Sequence, residues 1–314
     1  MRRFRPFLRS ISNNVINEMK GKKNLILTDV SLRDGIQSMT PETMSYSNKI
    51  NIFHRIYSQA LAKHIEIGSF VNTTRVPIMK DVTQFHRYCA EFIDDIPEGA
   101  YQPKLHALVP NLKYLEKAVE EKVEGVSFIV STTYAFQKRN TGKSLWDAHR
   151  EIMNMDTYLS LNHNRHSVLH KKVYISCINE CPLAGIIHPE RAFHVINMYY
   201  NFINIDEICL SDTCGTLKVE NLAPIIERYK AAGFDTNMLS LHIHEGNRSV
   251  DETRSLIFYA LDNGIIRFDV SILSTGGCMM TIPEEKRHAN LRYETLYDAI
   301  FAYNESIKNN KLGM

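Results

Sequence analysis

Residues 239–273 read LSLHIHEGNRSVDETRSLIFYALDNGIIRFDVSIL and hold one complete repeat of the architecture. A short apolar run at 239–242 gives way to Ser249 and Glu252, an S-x-x-E capping box that opens a helix. Leu256, Ile257, Ala260 and Leu261 then mark one apolar stripe, Gly264 supplies the stop, and a second β-rich run follows at 268–273. Runs this short and this apolar suit parallel strands buried on both faces. Similar runs occur at 25–30, 64–67, 105–109, 126–130, 173–177 and 208–210, which makes eight. Their starts fall about 35 residues apart, room for one strand, one helix and two loops. Between the third and fourth runs, Leu112, Leu115, Ala118, Val119 and Val123 mark one face of a charged helix that ends at Gly125. NHNRHSVLHKK, residues 162–172, reads as a polar surface loop. Eight units without a Gly/Ser-rich linker predict an α/β fold, a single (β/α)8 TIM barrel over residues 24–314. A doubly wound open sheet uses the same pattern and is the alternative.

The 314 residues are 44% apolar and 23% charged, with 14 Gly and 10 Pro, which excludes disordered, collagen-like and low-complexity chains. No apolar run approaches the 18 or so residues of a membrane span, so no membrane partner is expected. Lys and Arg number 37 against 35 Asp and Glu, a net charge of +2, too balanced for the phosphate neutralisation of a nucleic-acid binder. A small, locally polar ligand is the expectation. The six cysteines, at 89, 177, 181, 209, 214 and 278, are too sparse for a disulfide framework and point to a reducing compartment. Cys177 and Cys181 lack the second pair of a zinc ribbon. The first twelve residues, MRRFRPFLRSIS, carry four arginines and no acid. Residues 1–23 therefore read as a transit peptide or as a basic extension outside the fold. The expected location is cytoplasmic, or mitochondrial if the transit reading holds.

In a (β/α)8 barrel the chemistry lies at the C-terminal ends of the strands. The first run ends in Ser31-Leu-Arg33-Asp34-Gly35, the second carries Glu66, the sixth ends in Ser211-Asp212-Thr213, and the seventh in His242-Ile-His244-Glu245. Strand side chains alternate with period two, so His242 and His244 share a face and form a metal clamp in outline. Asp34, on the first strand, supplies a hard anionic ligand. Mixed N/O ligation with open positions suits a catalytic divalent ion. After the eighth run, Ser274-Thr-Gly-Gly-Cys278 presents a thiol toward the same mouth. A nearby cation would lower its pKa and let it act as acid or base.

These residues together resemble the metal-dependent lyase and aldolase barrels with a D-R-E signature, and among them the 3-hydroxy-3-methylglutaryl-CoA lyases. R-D-G-I-Q at 33–37, the stretch from Glu66 through Ser69-Phe-Val to Val76-Pro-Ile-Met79, Leu108-Val-Pro-Asn-Leu112, Lys138-Arg-Asn140, Ser176-Cys-Ile-Asn-Glu-Cys-Pro182, Ser211-Asp-Thr-Cys-Gly215 and His242-Ile-His244 fall in that family's order. The resemblance runs from about Leu27 to Leu296. It implies that Asp34, His242, His244 and Asn290 ligate a divalent cation, Mg2+ or Mn2+. It implies also that Arg33 steadies the oxygen that becomes an enolate, Glu66 orients Arg33 and the metal shell, Asp212 faces the substrate hydroxyl and Cys278 moves a proton. The implied reaction is retro-Claisen or retro-aldol cleavage of a 3-hydroxyacyl-CoA, in a homodimer.

The chain departs from that pattern after Cys278. The segment from Cys278 to Asn290 is three residues longer and bulkier than the family's, Glu245 replaces an Asp, and 24 residues follow Asn290. Loop and tail shape a substrate pocket, so a different acyl group is one expectation. A related Claisen-condensing or 2-oxo acid aldolase activity, and a catalytically altered barrel acting as scaffold or regulator, are the others.

Overall fold

Eight parallel strands close into one ring: β1 (Ile26–Asp29), β2 (His64–Ser69), β3 (Lys104–Leu108), β4 (Gly125–Ser131), β5 (His170–Ser176), β6 (Glu207–Ser211), β7 (Leu239–His242) and β8 (Arg267–Val270). The computed structural model describes residues 25–162, 168, 170–246 and 248–312, so the segment 1–23 lies outside the described residues. Around the ring each strand pairs with its neighbour in sequence, and β1 closes it by pairing with β2 on one side and β8 on the other. The closed barrel replaces the open-sheet alternative, and every apolar run overlaps its strand.

The Ser249–Glu252 capping box forms as expected: Ser249 Oγ accepts from the Glu252 amide at 3.1 Å, and Glu252 Oε2 accepts from the Ser249 amide at 2.8 Å. The helix Val250–Asp262 follows, and Gly264 (φ +81°) stops it. Gly125 behaves differently from its predicted role. The helix Leu112–Glu120 ends five residues earlier, with Lys122 taking the left-handed turn (φ 58°), and Gly125 opens β4. A Cβ at Gly125 would lie 2.2 Å from the His106 ring, so this position admits no side chain.

Two further boundaries move. Residues 170–172 belong to β5 rather than to a surface loop, and Lys172 is fully buried because two carboxylates meet it, Glu207 at 2.9 Å and Asp269 at 2.5 Å. At the other end, β8 stops at Val270 instead of running to residue 273. The Ser271 amide donates to the Leu291 carbonyl at 2.9 Å, and the Leu291 amide donates to the Ile243 carbonyl at 2.8 Å. Leu291 thus sits between the exits of β7 and β8.

The lower end of the barrel holds three imidazoles, from His64 at the start of β2, His106 in β3 and His170 at the start of β5. His64 Nδ1 and His106 Nε2 are 2.8 Å apart, and His170 stacks on His64 with ring centroids 4.9 Å apart. Burial pushes the His64 pKa down to about 3 and depresses those of His106 and His170. All three are therefore neutral in the fold, while the unfolded chain protonates them below about pH 6.5. Stability should fall as pH drops through 6.5 toward 5, by up to about 1.4 kcal/mol per pH unit for each histidine. Asp29, whose carboxyl burial pushes up to about 6, titrates in the same window with the opposite sign, but the three histidines outnumber it. Urea unfolding midpoints measured between pH 7 and pH 5 check this; a pH-independent midpoint would contradict it.

Candidate active site

At the C-terminal end of the strands the barrel opens into a cavity of about 220 Å³, whose lining includes Arg33, Asp34, Tyr174, His242, His244 and Cys278. β1 leads into a single buried π-helical turn, Ser31–Gly35, which delivers the first two of these. Asp34 Oδ1 accepts from Arg33 Nη1 at 2.6 Å and from Gln37 Nε2 at 3.0 Å, and Oδ2 accepts from the Gly277 amide at 3.1 Å. The same Oδ2 lies 3.5 Å from His244 Nε2 and 4.0 Å from His242 Nε2. One donor atom from each of the three residues lies within 4.8 Å of the other two, and among the described residues this is the one His/Cys/Asp/Glu group so arranged.

The two imidazoles do share a side, with ring centroids 4.8 Å apart, though not on one continuous strand. His242 ends β7, whereas His244 starts a two-residue strand, His244–Glu245, that pairs antiparallel with Ala289–Asn290. His244 Nδ1 donates to the Asp212 carbonyl at 2.7 Å, which turns Nε2 toward Asp34 Oδ2 at 3.5 Å. Burial opposes the charged form of Asp34, but the Arg33 guanidinium and the two imidazoles outweigh it and hold the carboxyl well below its usual range. Burial pushes His242 down, while for His244 the bond to Asp34 overcomes burial and lifts it above the ordinary value.

Asn290 pairs directly with His244 in the register, and its Nδ2 donates to the Thr275 carbonyl at 3.2 Å. Its Oδ1 is buried with no partner among the described residues. Asn290 is not among the cavity-lining residues, whereas Asp34, His242 and His244 bring two imidazole nitrogens and a carboxylate together, the mixed N/O set that a hard divalent cation takes. The residues present therefore fit such a cation.

Arg33 is held on two sides, its Nε donating to Glu66 Oε2 at 2.7 Å and its Nη1 to Asp34, with its guanidinium carbon 4.8 Å above the Tyr174 ring. Its Nη2 is buried and unpartnered among the described residues. Glu66 is fully buried behind Arg33, and its second oxygen accepts from Ser127 Oγ. Cys278 is half-buried at the cavity wall, Sγ 3.5 Å from Asn140 Oδ1. Burial pushes its thiol up rather than down, and the negative charge of Asp34 adds to this. Met279 and Met280, which follow Cys278 in the longer segment, also line the cavity, tied down by Arg139 Nε donating to the Met280 carbonyl at 3.1 Å.

Asp212 is not among the lining residues. Its Oδ1 accepts from the Thr216 and Leu217 amides at 2.9 and 3.0 Å, and its Oδ2 pairs with Arg248 Nη1 at 2.5 Å, all out of solvent. A carboxylate so saturated faces no substrate hydroxyl; it braces the backbone that orients His244. Arg248, which the sequence did not single out, also donates to the His244 carbonyl. Glu245 turns outward to Arg292 Nε (2.7 Å) and Thr295, fastening the return of the long loop.

Residues 24–304 match the family model described as HMGL-like. The 3-hydroxy-3-isohexenylglutaryl-CoA/hydroxy-methylglutaryl-CoA lyase of Pseudomonas aeruginosa is 28% identical over 256 residues, covering 82% of this chain and 79% of the relative. The (R)-citramalyl-CoA lyase of Chloroflexus aurantiacus is 27% identical over 262 residues, covering 80% and 76%. Among solved structures, hydroxymethylglutaryl-CoA lyase from Pseudomonas aeruginosa superposes with a TM-score of 0.72 at 26% identity, covering 90% of this chain and 86% of that one. The chain belongs to the HMGL-like family, as a divergent, hydroxymethylglutaryl-CoA lyase-like member of these carbon–carbon lyases.

Proposed function

We propose that the protein is a divalent-metal-dependent lyase that cleaves 3-hydroxy-3-methylglutaryl-CoA, or a 3-hydroxyacyl-CoA of that kind, to acetyl-CoA and a keto acid such as acetoacetate. The observation that carries this reading is the meeting in one cavity of the Asp34, His242 and His244 group with Arg33 and Cys278. Relatives that act on CoA thioesters support it. Asp34, His242, His244 and Asn290 would hold Mg2+ or Mn2+, which supplies Lewis-acid polarisation of substrate oxygens. In the cleavage the hydroxyl gives up its proton to solvent, its carbon becomes a ketone, and the electron pair of the broken carbon–carbon bond passes into the thioester enolate. Arg33 Nη2 would donate to that enolate oxygen, and Glu66 would keep the guanidinium aimed. Cys278, kept in its protonated form by burial, would give its proton to the enolate carbon and recover one from solvent, so that one proton moves overall from oxygen to carbon.

Incubation with 3-hydroxy-3-methylglutaryl-CoA and Mn2+ should yield acetoacetate. Cys278→Ala should lower kcat by about 10²–10⁴ while leaving Mn2+ affinity unchanged. No acetoacetate at any Mn2+ or Mg2+ concentration would overturn the assignment.

A further inference from the structure

We infer that Asp269, a residue of β8 that does not line the cavity, is the positioning residue that presents His242 to the cation. This rests on the metal-site reading above. Asp269 Oδ2 accepts from His242 Nδ1 at 3.0 Å and from the Tyr174 hydroxyl at 2.9 Å, while Oδ1 accepts from Lys172 Nζ at 2.5 Å. The carboxylate is buried among these donors with 1% of its surface exposed, so it has no room to turn. A carboxylate accepts only, so Nδ1 of His242 carries the hydrogen and Nε2 is left as the free lone pair. That nitrogen is the one nearest Asp34 Oδ2, at 4.0 Å.

The same oxygen ties a second functional group to the first. Tyr174, whose hydroxyl it holds, offers its ring face to Arg33 at 4.8 Å and its edge to His242, with ring centroids 5.7 Å apart. One carboxylate thereby sets the imidazole and, through the phenol ring, the guanidinium beside it. Lys172 supplies the opposite charge that lets Asp269 stay ionised without solvent, and Glu207 shares that ammonium at 2.9 Å. An accepting partner on the far nitrogen of a ligating histidine fixes its tautomer and raises its basicity, and loss of such a partner lowers metal affinity by about 10–100-fold.

The experiment is Mn2+ titration by calorimetry of the full chain, wild type, Asp269→Asn and Asp269→Ala, with near-UV circular dichroism to verify folding. Wild type should bind Mn2+, and Asp269→Ala should bind it about 10–100-fold more weakly. Asp269→Asn keeps an accepting oxygen without the charge and should fall between the two. Equal Mn2+ affinity in wild type and Asp269→Ala would overturn the inference and leave the metal-site reading standing. No Mn2+ binding by wild type would overturn that reading instead. Should the variants not fold, long-range ¹H–¹⁵N spectra of the wild-type imidazoles decide: the Nδ1–H tautomer of His242 is expected, and the Nε2–H tautomer would overturn the inference.

Discussion

Excess EDTA is expected to abolish thioester cleavage, Mn2+ or Mg2+ to restore it, and Asp34→Asn to stay inactive whatever the metal concentration. A cation that polarises a reacting oxygen contributes several kcal/mol to the transition state, and about 4 kcal/mol corresponds to a loss of about 10³ in rate. Asp34 is the anion of the group, and its Oδ2 is the atom nearest both imidazole Nε2 atoms. An asparagine keeps the size and an acceptor for the Gly277 amide, but it removes the charge that two imidazoles and a guanidinium surround. The fold should survive, because the bonds that close the barrel lie elsewhere. Cleavage that resists chelation after exhaustive dialysis would defeat this expectation, as would an Asp34→Asn enzyme with wild-type kcat.

Arg33→Lys should lower kcat by about 10²–10³, equivalent to about 2.7–4 kcal/mol, with a much smaller effect on KM. The guanidinium does three things at once: it bonds Glu66 through Nε, Asp34 through Nη1, and keeps Nη2 unpartnered. A lysine carries the charge but not the planar fork, so it cannot serve two carboxylates and still present a fixed donor. Lysine is the informative change because a neutral replacement would leave Glu66 as an unpaired buried charge, destabilising the fold by about 3–5 kcal/mol. Steady-state kinetics with Mn2+ saturating would show the split. A loss of less than tenfold would remove Arg33 from the chemistry.

The barrel was legible because strands buried on both faces write themselves as short apolar runs; the imidazole pair shares a side as period two suggests, although the strand breaks at Ile243 between them. That same rule also contains the placement of Asp212. Ser211 and Thr213 line the cavity, so the residue between them points the other way, into Arg248. The motif resemblance drew attention to the carboxylate; alternation governs its direction. Lys172, Asp269 and Arg248 were invisible for a different reason. Each is a charge made tolerable in the interior by a partner far off in the chain, 97 residues away for Lys172 and Asp269, and nothing local announces such a partner. His170 and Lys172 were misplaced in a loop on the same account. Enclosure by protein and the charge of Asp34 favour the Cys278 thiol over its thiolate, a contribution that residue spacing does not reveal.

Leu291, clasped between Ile243 and Ser271, separates two jobs that a single loop would otherwise share. The backbone after Cys278 is clamped again at 289–291 and fastened through Glu245 to Arg292, which pairs Asn290 with His244 in the register. The stretch 279–288 therefore spans two fixed points, and it is from this span that Met279 and Met280 reach the cavity wall. A span anchored at both ends can set the shape of the wall without setting the position of the strand ends it connects.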